Sequence, residues 1–147
     1  MSKIKAPVDS KKISRIESKR GGDCPQVPAF SFAYLTTNKE FTSYYFSDVN
    51  DRRIAIENIY NRLTEIGMYN WLHWYENGKR QGLETLSADE LRFSPSGKEL
   101  TPDEKVIVFR VKSYAGKDGR ILGIREDGCP ILHIIGYDFN FSAYNHG

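Results

Sequence analysis

Arg120, His133 and Tyr137 are residue types that could act together on a phosphodiester. Cleavage through the ribose hydroxyl needs a proton acceptor, a proton donor and positive charge for the developing dianion. Histidine exchanges protons near neutral pH. Arginine clamps phosphate oxygens with two parallel hydrogen bonds. Tyrosine stacks on a base or donates a hydrogen bond. Tyr144 and His146 follow at the extreme C-terminus, where a short tail would fold back over the same surface.

The elements that would position these residues are strands. Lys105 to Ser113 is rich in Val, Ile and Phe, Ala115 to Gly119 turns the chain, and Arg120 to Arg125 reads as a second strand. Asp127-Gly128 is a tight-turn dipeptide, and Pro130 to Tyr137 follows as a third strand. This predicts a three-stranded antiparallel meander. With Asp127 and Gly128 as the two turn residues, Glu126 faces Cys129, Leu122 faces His133 and Arg120 faces Ile135. Arg120, His133 and Tyr137 then share one face, and Arg125 points to the other. A slip of one residue would dissolve that set.

Upstream, Ala29 to Leu35 alternates Phe30, Phe32 and Tyr34 with small residues, and Phe41 to Ser47 is again aromatic. The pair reads as a hairpin around a polar turn. A helix follows. Asp48 or Asn50 caps it, Asp51 suits its first turn, and Ile56, Ile59, Tyr60, Leu63 and Ile66 form one apolar stripe. Gly67 is placed for a left-handed C-terminal residue. Met68 to Glu76 reads as a short second helix, in which Trp71, Trp74 and Tyr75 pack into the core rather than stack on bases. Residues 83–104 are mixed, with Leu83, Leu86, Leu91 and Phe93 as anchors. The fold class is therefore α+β: an antiparallel sheet, made of the N-terminal hairpin and the C-terminal meander, packed against one or two helices.

Charge divides the chain. Of 147 residues, the first twenty hold seven Lys or Arg against Asp9 and Glu17, while the whole chain is only +2. A basic arm over 1–28, broken by Gly21-Gly22-Asp23-Cys24-Pro25, precedes a slightly acidic single domain over 29–147. Lys11, Lys12 and Arg15 of the arm are candidate contacts to phosphates or to an acidic partner. Two cysteines, Cys24 and Cys129, exclude a disulfide-rich scaffold and a four-cysteine zinc site. Cys129, His133 and His146 fall short of a zinc pattern, so no metal and no cofactor is expected. Gly119 to Gly123 lacks the spacing of a phosphate loop, and no hydrolase elbow is present. Asp89 and Glu90 are adjacent and form no acid/base pair. No stretch approaches the roughly 18 apolar residues that span a bilayer, and no secretory signal is seen. A soluble, cytoplasmic protein without membrane contact is expected.

Phe109-Arg110, Gly119-Arg120-Ile121-Leu122-Gly123, Ile131 to Asp138 and the ending Tyr144-Asn145-His146 carry a resemblance. The stretch from Val106 to Gly147 resembles the C-terminal half of RelE/YoeB-like bacterial ribonuclease toxins. The resemblance implies a small antiparallel sheet covered by helices. It also implies metal-free cleavage of messenger RNA, often on the ribosome, and neutralisation by an antitoxin partner. Carried over, Arg110 or Arg120 binds phosphate, His146 or His133 is the acid/base group, and Tyr144 is the tail tyrosine. The chain departs from the family pattern in its length, its arm and its non-basic body. The expected function is a metal-independent, toxin-like endoribonuclease. The alternative is a non-enzymatic accessory module that binds nucleic acid or protein through the basic arm. An antitoxin or inhibitor sharing the fold is a third reading, since fold alone does not decide function.

Overall fold

The structure is a computed structural model and describes residues 26–111 and 118–145. Its centre is a five-stranded sheet in the order β1-β5-β4-β3-β2. The strands are β1 (Ala29–Ser31), β2 (Leu83–Ser87), β3 (Lys105–Val111), β4 (Gly119–Ile124) and β5 (Ile131–Asp138). β3, β4 and β5 form the expected antiparallel meander. The β3–β4 connection lies outside the described residues up to position 117. β2 adds antiparallel to β3, whereas β1 adds parallel to β5, so the sheet is mixed.

Two cores flank this sheet. On one face, Ile107, Phe109, Ile121, Leu132, Ile134 and Tyr137 pack with α1 (Val49–Ile66) and α2 (Trp71–Asn77). On the other, Val106, Val108, Leu122, Ile124 and Ile135 pack under Phe41, Phe93, Ala143 and Tyr144. Among the described residues no helix covers that second face. Turns and the C-terminal tail do so, locked by the stacked rings of Phe41 and Phe93 at 4.5 Å. Continuous apolar runs such as Val106 to Phe109 follow from burial on both faces.

The expected N-terminal hairpin does not form. Only Ala29–Ser31 is a strand, and Lys39–Phe41 and Ser43–Tyr45 are single 3-10 turns. The reason is local capping. The Asn38 side chain accepts the Glu40 N–H at 3.1 Å, and Thr42 Oγ1 accepts that of Tyr44 at 3.2 Å. Those bonds offer the backbone an alternative to a ladder. Thr36 is also tied down, its N–H to Ile135 O at 2.8 Å and its hydroxyl to Ser94 O at 2.8 Å.

α1 starts as expected, with Asp48 accepting the Asp51 N–H at 3.0 Å. Its buried side is rotated from the expected stripe. Ala55, Asn58, Ile59 and Ile66 are buried, while Ile56 and Tyr60 are 47% and 66% exposed. Gly67 ends the helix in a right-handed conformation (φ −74°), not the left-handed one. α2 buries Trp71 and Trp74 in the core, and Trp74 Nε1 donates to Ile66 O at 2.8 Å. Among the described residues, no helix is long and apolar enough to cross a membrane.

Candidate active site

The register of β4 on β5 decides which residues meet. Near the turn, Ile124 pairs with His133, and Gly123 with Ile134. The register then shifts, so that Leu122 pairs with Gly136 and Arg120 with Asp138. Ile135 is passed over, as in a β-bulge. The expected pairing of Arg120 with Ile135 and of Leu122 with His133 is therefore wrong. Two causes are visible. The Glu126 carbonyl accepts the Cys129 N–H at 3.0 Å, but of the two turn residues only Gly128 has positive φ, so the turn is not the type I′ that holds a tight hairpin register. In addition, Pro130 has no N–H to donate, and its carbonyl is taken by Ala29 N at 3.2 Å and Trp71 Nε1 at 2.8 Å.

This register separates the expected trio. Tyr137 pairs with Ile121 and lies in the helix-side core, where burial pushes its hydroxyl up to about 12. His133 shares the face of Arg120 but sits near the other end of β5, roughly 15 Å away along the strand. Its ring rests against Tyr34 at 5.0 Å, and its Nδ1 is buried without a hydrogen-bond partner among the described residues. Lys11, Lys12, Arg15 and His146 lie outside the described residues.

The same register gathers a different group. Arg110 pairs directly with Arg120 across β3 and β4, and Asp138 follows across β5, making a row of side chains on one face. Two like charges facing each other are unfavourable unless neighbours compensate. Glu84 of β2 supplies one partner, 3.5 Å from Arg110 Nε. Asp138 is buried, and its carboxylate accepts backbone N–H groups of Asn140 (3.3 Å), Ser142 (3.0 Å) and Ala143 (3.1 Å). Those bonds curl the tail, through Phe141 at φ 57°, back over the sheet. The Phe141 ring lies 4.6 Å from the Arg120 guanidinium.

The curled tail delivers Tyr144 to the row. A hollow of about 330 Å³ results, lined by Glu84, Glu90, Arg110, Arg120, Tyr144 and Asn145 among others. Burial raises the Tyr144 pKa above the ordinary tyrosine value, and the nearby charge of Glu84 adds to the rise. The Arg120 guanidinium opposes it by its charge. The Arg120 Nε has no partner among the described residues. The hollow thus offers two guanidinium groups to a phosphate, a tyrosine kept protonated, and carboxylates that accept protons.

Of the candidates read from the sequence, Arg110, Arg120 and Tyr144 are brought together; His133 and Tyr137 are not. Glu84 and Glu90 were missed. Glu84 carried a faint signal, a carboxylate between Leu83 and Leu86 in a segment short enough to be an edge strand. Glu90 is placed by a capping box, its carboxylate accepting the Ser87 N–H at 2.9 Å. Among the described residues no three His, Cys, Asp or Glu side chains cluster as metal ligands.

No family model matches the chain, and no curated protein and no solved structure matches it.

Proposed function

We propose that the chain is a metal-independent endoribonuclease of the toxin-like type, working in the hollow around Arg110, Arg120 and Tyr144. The observation that carries this reading is the convergence of those three residues, from β3, β4 and the tail, beside the Glu84 carboxylate. The two arginines bind the scissile phosphate and offset the charge that grows on it. Glu84 takes the proton of the ribose 2′-hydroxyl as that oxygen attacks phosphorus. Tyr144, held neutral, gives its proton to the departing 5′-oxygen and regains one from water. The products are a 2′,3′-cyclic phosphate and a 5′-hydroxyl end. In this reading the substrate is RNA, free or on a ribosome in the cytoplasm. Lys11, Lys12 and Arg15 add non-specific phosphate contacts, and an antitoxin or another protein partner restrains the activity.

The test is cleavage of a defined RNA in EDTA by the purified chain, with and without ribosomes. Tyr144→Phe is expected to slow cleavage by about 10²-fold, and a 2′-deoxy substitution at the cut site to abolish it. Absence of cleavage by the folded protein in both settings would overturn the reading.

One observation favours a second reading, a non-enzymatic module that binds nucleic acid or protein. No histidine among the described residues lines that hollow, and Glu84 already engages Arg110. That reading expects RNA binding that Arg120→Ala weakens, with no strand scission.

A further inference from the structure

A second concavity, of about 420 Å³, lies between the end of α1, the start of α2 and the 3-10 turn Gly78–Gln81 that leads into β2. Its walls include Arg62, Tyr69, His73, Arg80 and Arg110, with Glu65 the one carboxylate.

The charges divide into used and unused. Arg62 is saturated. It donates to Arg110 O at 2.8 Å, to Gln81 O, and to Glu65 Oε1 at 2.5 Å. Its guanidinium also lies over the rings of Trp74 and Phe109, at 5.4 and 5.6 Å. Arg62 therefore builds the wall, and Glu65 is spent on it. Arg80 and Arg110 remain. Both are exposed; Arg80 makes no ion pair among the described residues, and Arg110, paired with Glu84 through Nε at 3.5 Å, makes none there through its two Nη. Gly82, at φ +86°, lets the chain turn here; a Cβ on it would stand 3.1 Å from that of Arg110.

Part of the lining is aromatic. Tyr69 stacks on His73 with centroids 4.3 Å apart and planes 18° off parallel. Trp74 meets both rings edge-on and fixes the stack from the core side. Tyr69 is still 45% exposed. His73 Nε2 is buried with no hydrogen-bond partner among the described residues.

We propose that this cleft binds a nucleotide unit, its base against the Tyr69–His73 stack and its phosphate between Arg80 and Arg110. An acidic peptide would engage the arginines but leave the stack bare. A purely apolar ligand would cover the stack and strand two guanidinium groups. A flat ring joined to a phosphate answers both, since aromatic faces take any base and guanidinium takes phosphate. Arg110 also lines the hollow. A single RNA strand would therefore run from one to the other; this extension alone rests on the ribonuclease reading.

The test is titration of the full chain, followed by amide NMR shifts, with uridine 5′-monophosphate, uridine, inorganic phosphate and a 2′-O-methyl oligouridylate. The monophosphate is expected to bind about tenfold more tightly than phosphate or uridine, and to shift Tyr69, His73 and Arg80. Tyr69→Ala and Arg80→Ala should each weaken it about tenfold; Arg80→Ala should leave the melting temperature unchanged because that side chain is exposed, and Tyr69→Phe, which keeps the ring stack, should retain binding. Tighter binding of the oligomer identifies a strand as the source, and equal binding a free nucleotide; either supports the nucleotide unit. Monophosphate binding no tighter than phosphate, or insensitive to Tyr69→Ala, overturns the proposal, as does no binding at about 5 mM. Monophosphate binding with no RNA cleavage would remove the ribonuclease reading and leave the cleft standing.

Discussion

Arg120 near the start of β4 and Arg125 just beyond its end are the same residue type at the two ends of one strand, in opposite circumstances. Arg125 is used up. Its Nε donates to Cys129 O at 2.5 Å, Nη1 to Tyr75 Oη at 3.1 Å and Nη2 to Gln26 Oε1 at 2.8 Å. Its guanidinium lies 4.5 Å from the Trp71 ring. It thereby ties the β4–β5 turn, α2 and the segment before β1 together. Arg120 keeps an unpartnered Nε among the described residues, touches an exposed Phe141 and reaches Tyr144. An arginine each of whose three side-chain nitrogens is engaged by a carbonyl or a side chain is part of the scaffold. One whose Nε is buried without a partner beside a hollow keeps hydrogen-bonding capacity that the scaffold does not use.

The largest expected effect comes from removing what holds the Arg120 end open. Asp138→Ala takes away the acceptor of three backbone N–H groups. It should cost about 3 kcal/mol or more in urea unfolding, because charged acceptors to buried donors are worth most. It should also abolish cleavage by releasing Tyr144. A loss below about 1 kcal/mol would mean that the tail is held by other contacts.

Next to Asp138, Tyr137 faces the other side of the sheet and tests it by pH. Below pH 10 both folded and unfolded chains keep its proton. Between pH 10 and about 12 the unfolded chain loses it while the buried folded hydroxyl does not. The unfolded state then binds fewer protons, so stability falls as pH rises through this window. The loss by pH 12 is on the order of 2–3 kcal/mol. Tyr137→Phe should flatten the difference curve over that range in denaturant melts.

The two arginines then separate directly. Arg125→Ala should cost about 2 kcal/mol, since it leaves partners unsatisfied on three segments, and the folded protein should still cleave. Arg120→Ala should change stability by less than about 1 kcal/mol and lower cleavage by about 10²-fold. Reversed results, with Arg125 controlling activity and Arg120 stability, would break the comparison.

What could be read from residues alone followed from periodicity and punctuation. The meander was visible in Val106 to Val111, in Ile121 to Ile124 and in Ile131 to Ile135, and the start of α1 in Asp48. The rest depended on contacts distant in sequence. Nothing local to Ile135 announces that it will be passed over, yet that one position moves Arg120 from Tyr137 to Asp138, after the wider turn has already moved it two residues along from Ile135. Arg125 looks as available as Arg120 until Gln26 and Tyr75 are brought to it. The aromatic alternation from Phe30 to Tyr34 has the period of a strand, but β5 offers partners to three residues only before Thr36 and Asn38 form turns. Arg110, Arg120 and Tyr144 were legible as residue types that handle phosphate. Glu84 carried only a faint signal, because an edge-strand carboxylate gains its meaning once its neighbouring strand is known.

The smallest expected effect isolates the turn at the Arg125 end. Gly128 has φ +76°, and a Cβ there would meet nothing within 4 Å. Gly128→Ala therefore adds backbone strain without a clash and should cost about 1 kcal/mol. Gly128→Asn should recover part of it, because asparagine tolerates the left-handed region. Cleavage and the Tyr144 environment should not change in either variant. The pairing of Arg120 with Asp138 lies beyond the register shift, and the tail bonds of Asp138 do not involve the turn. A turn variant that altered cleavage would show the two ends of β4 to be coupled through β5, and the register shift would then be the element that transmits the change.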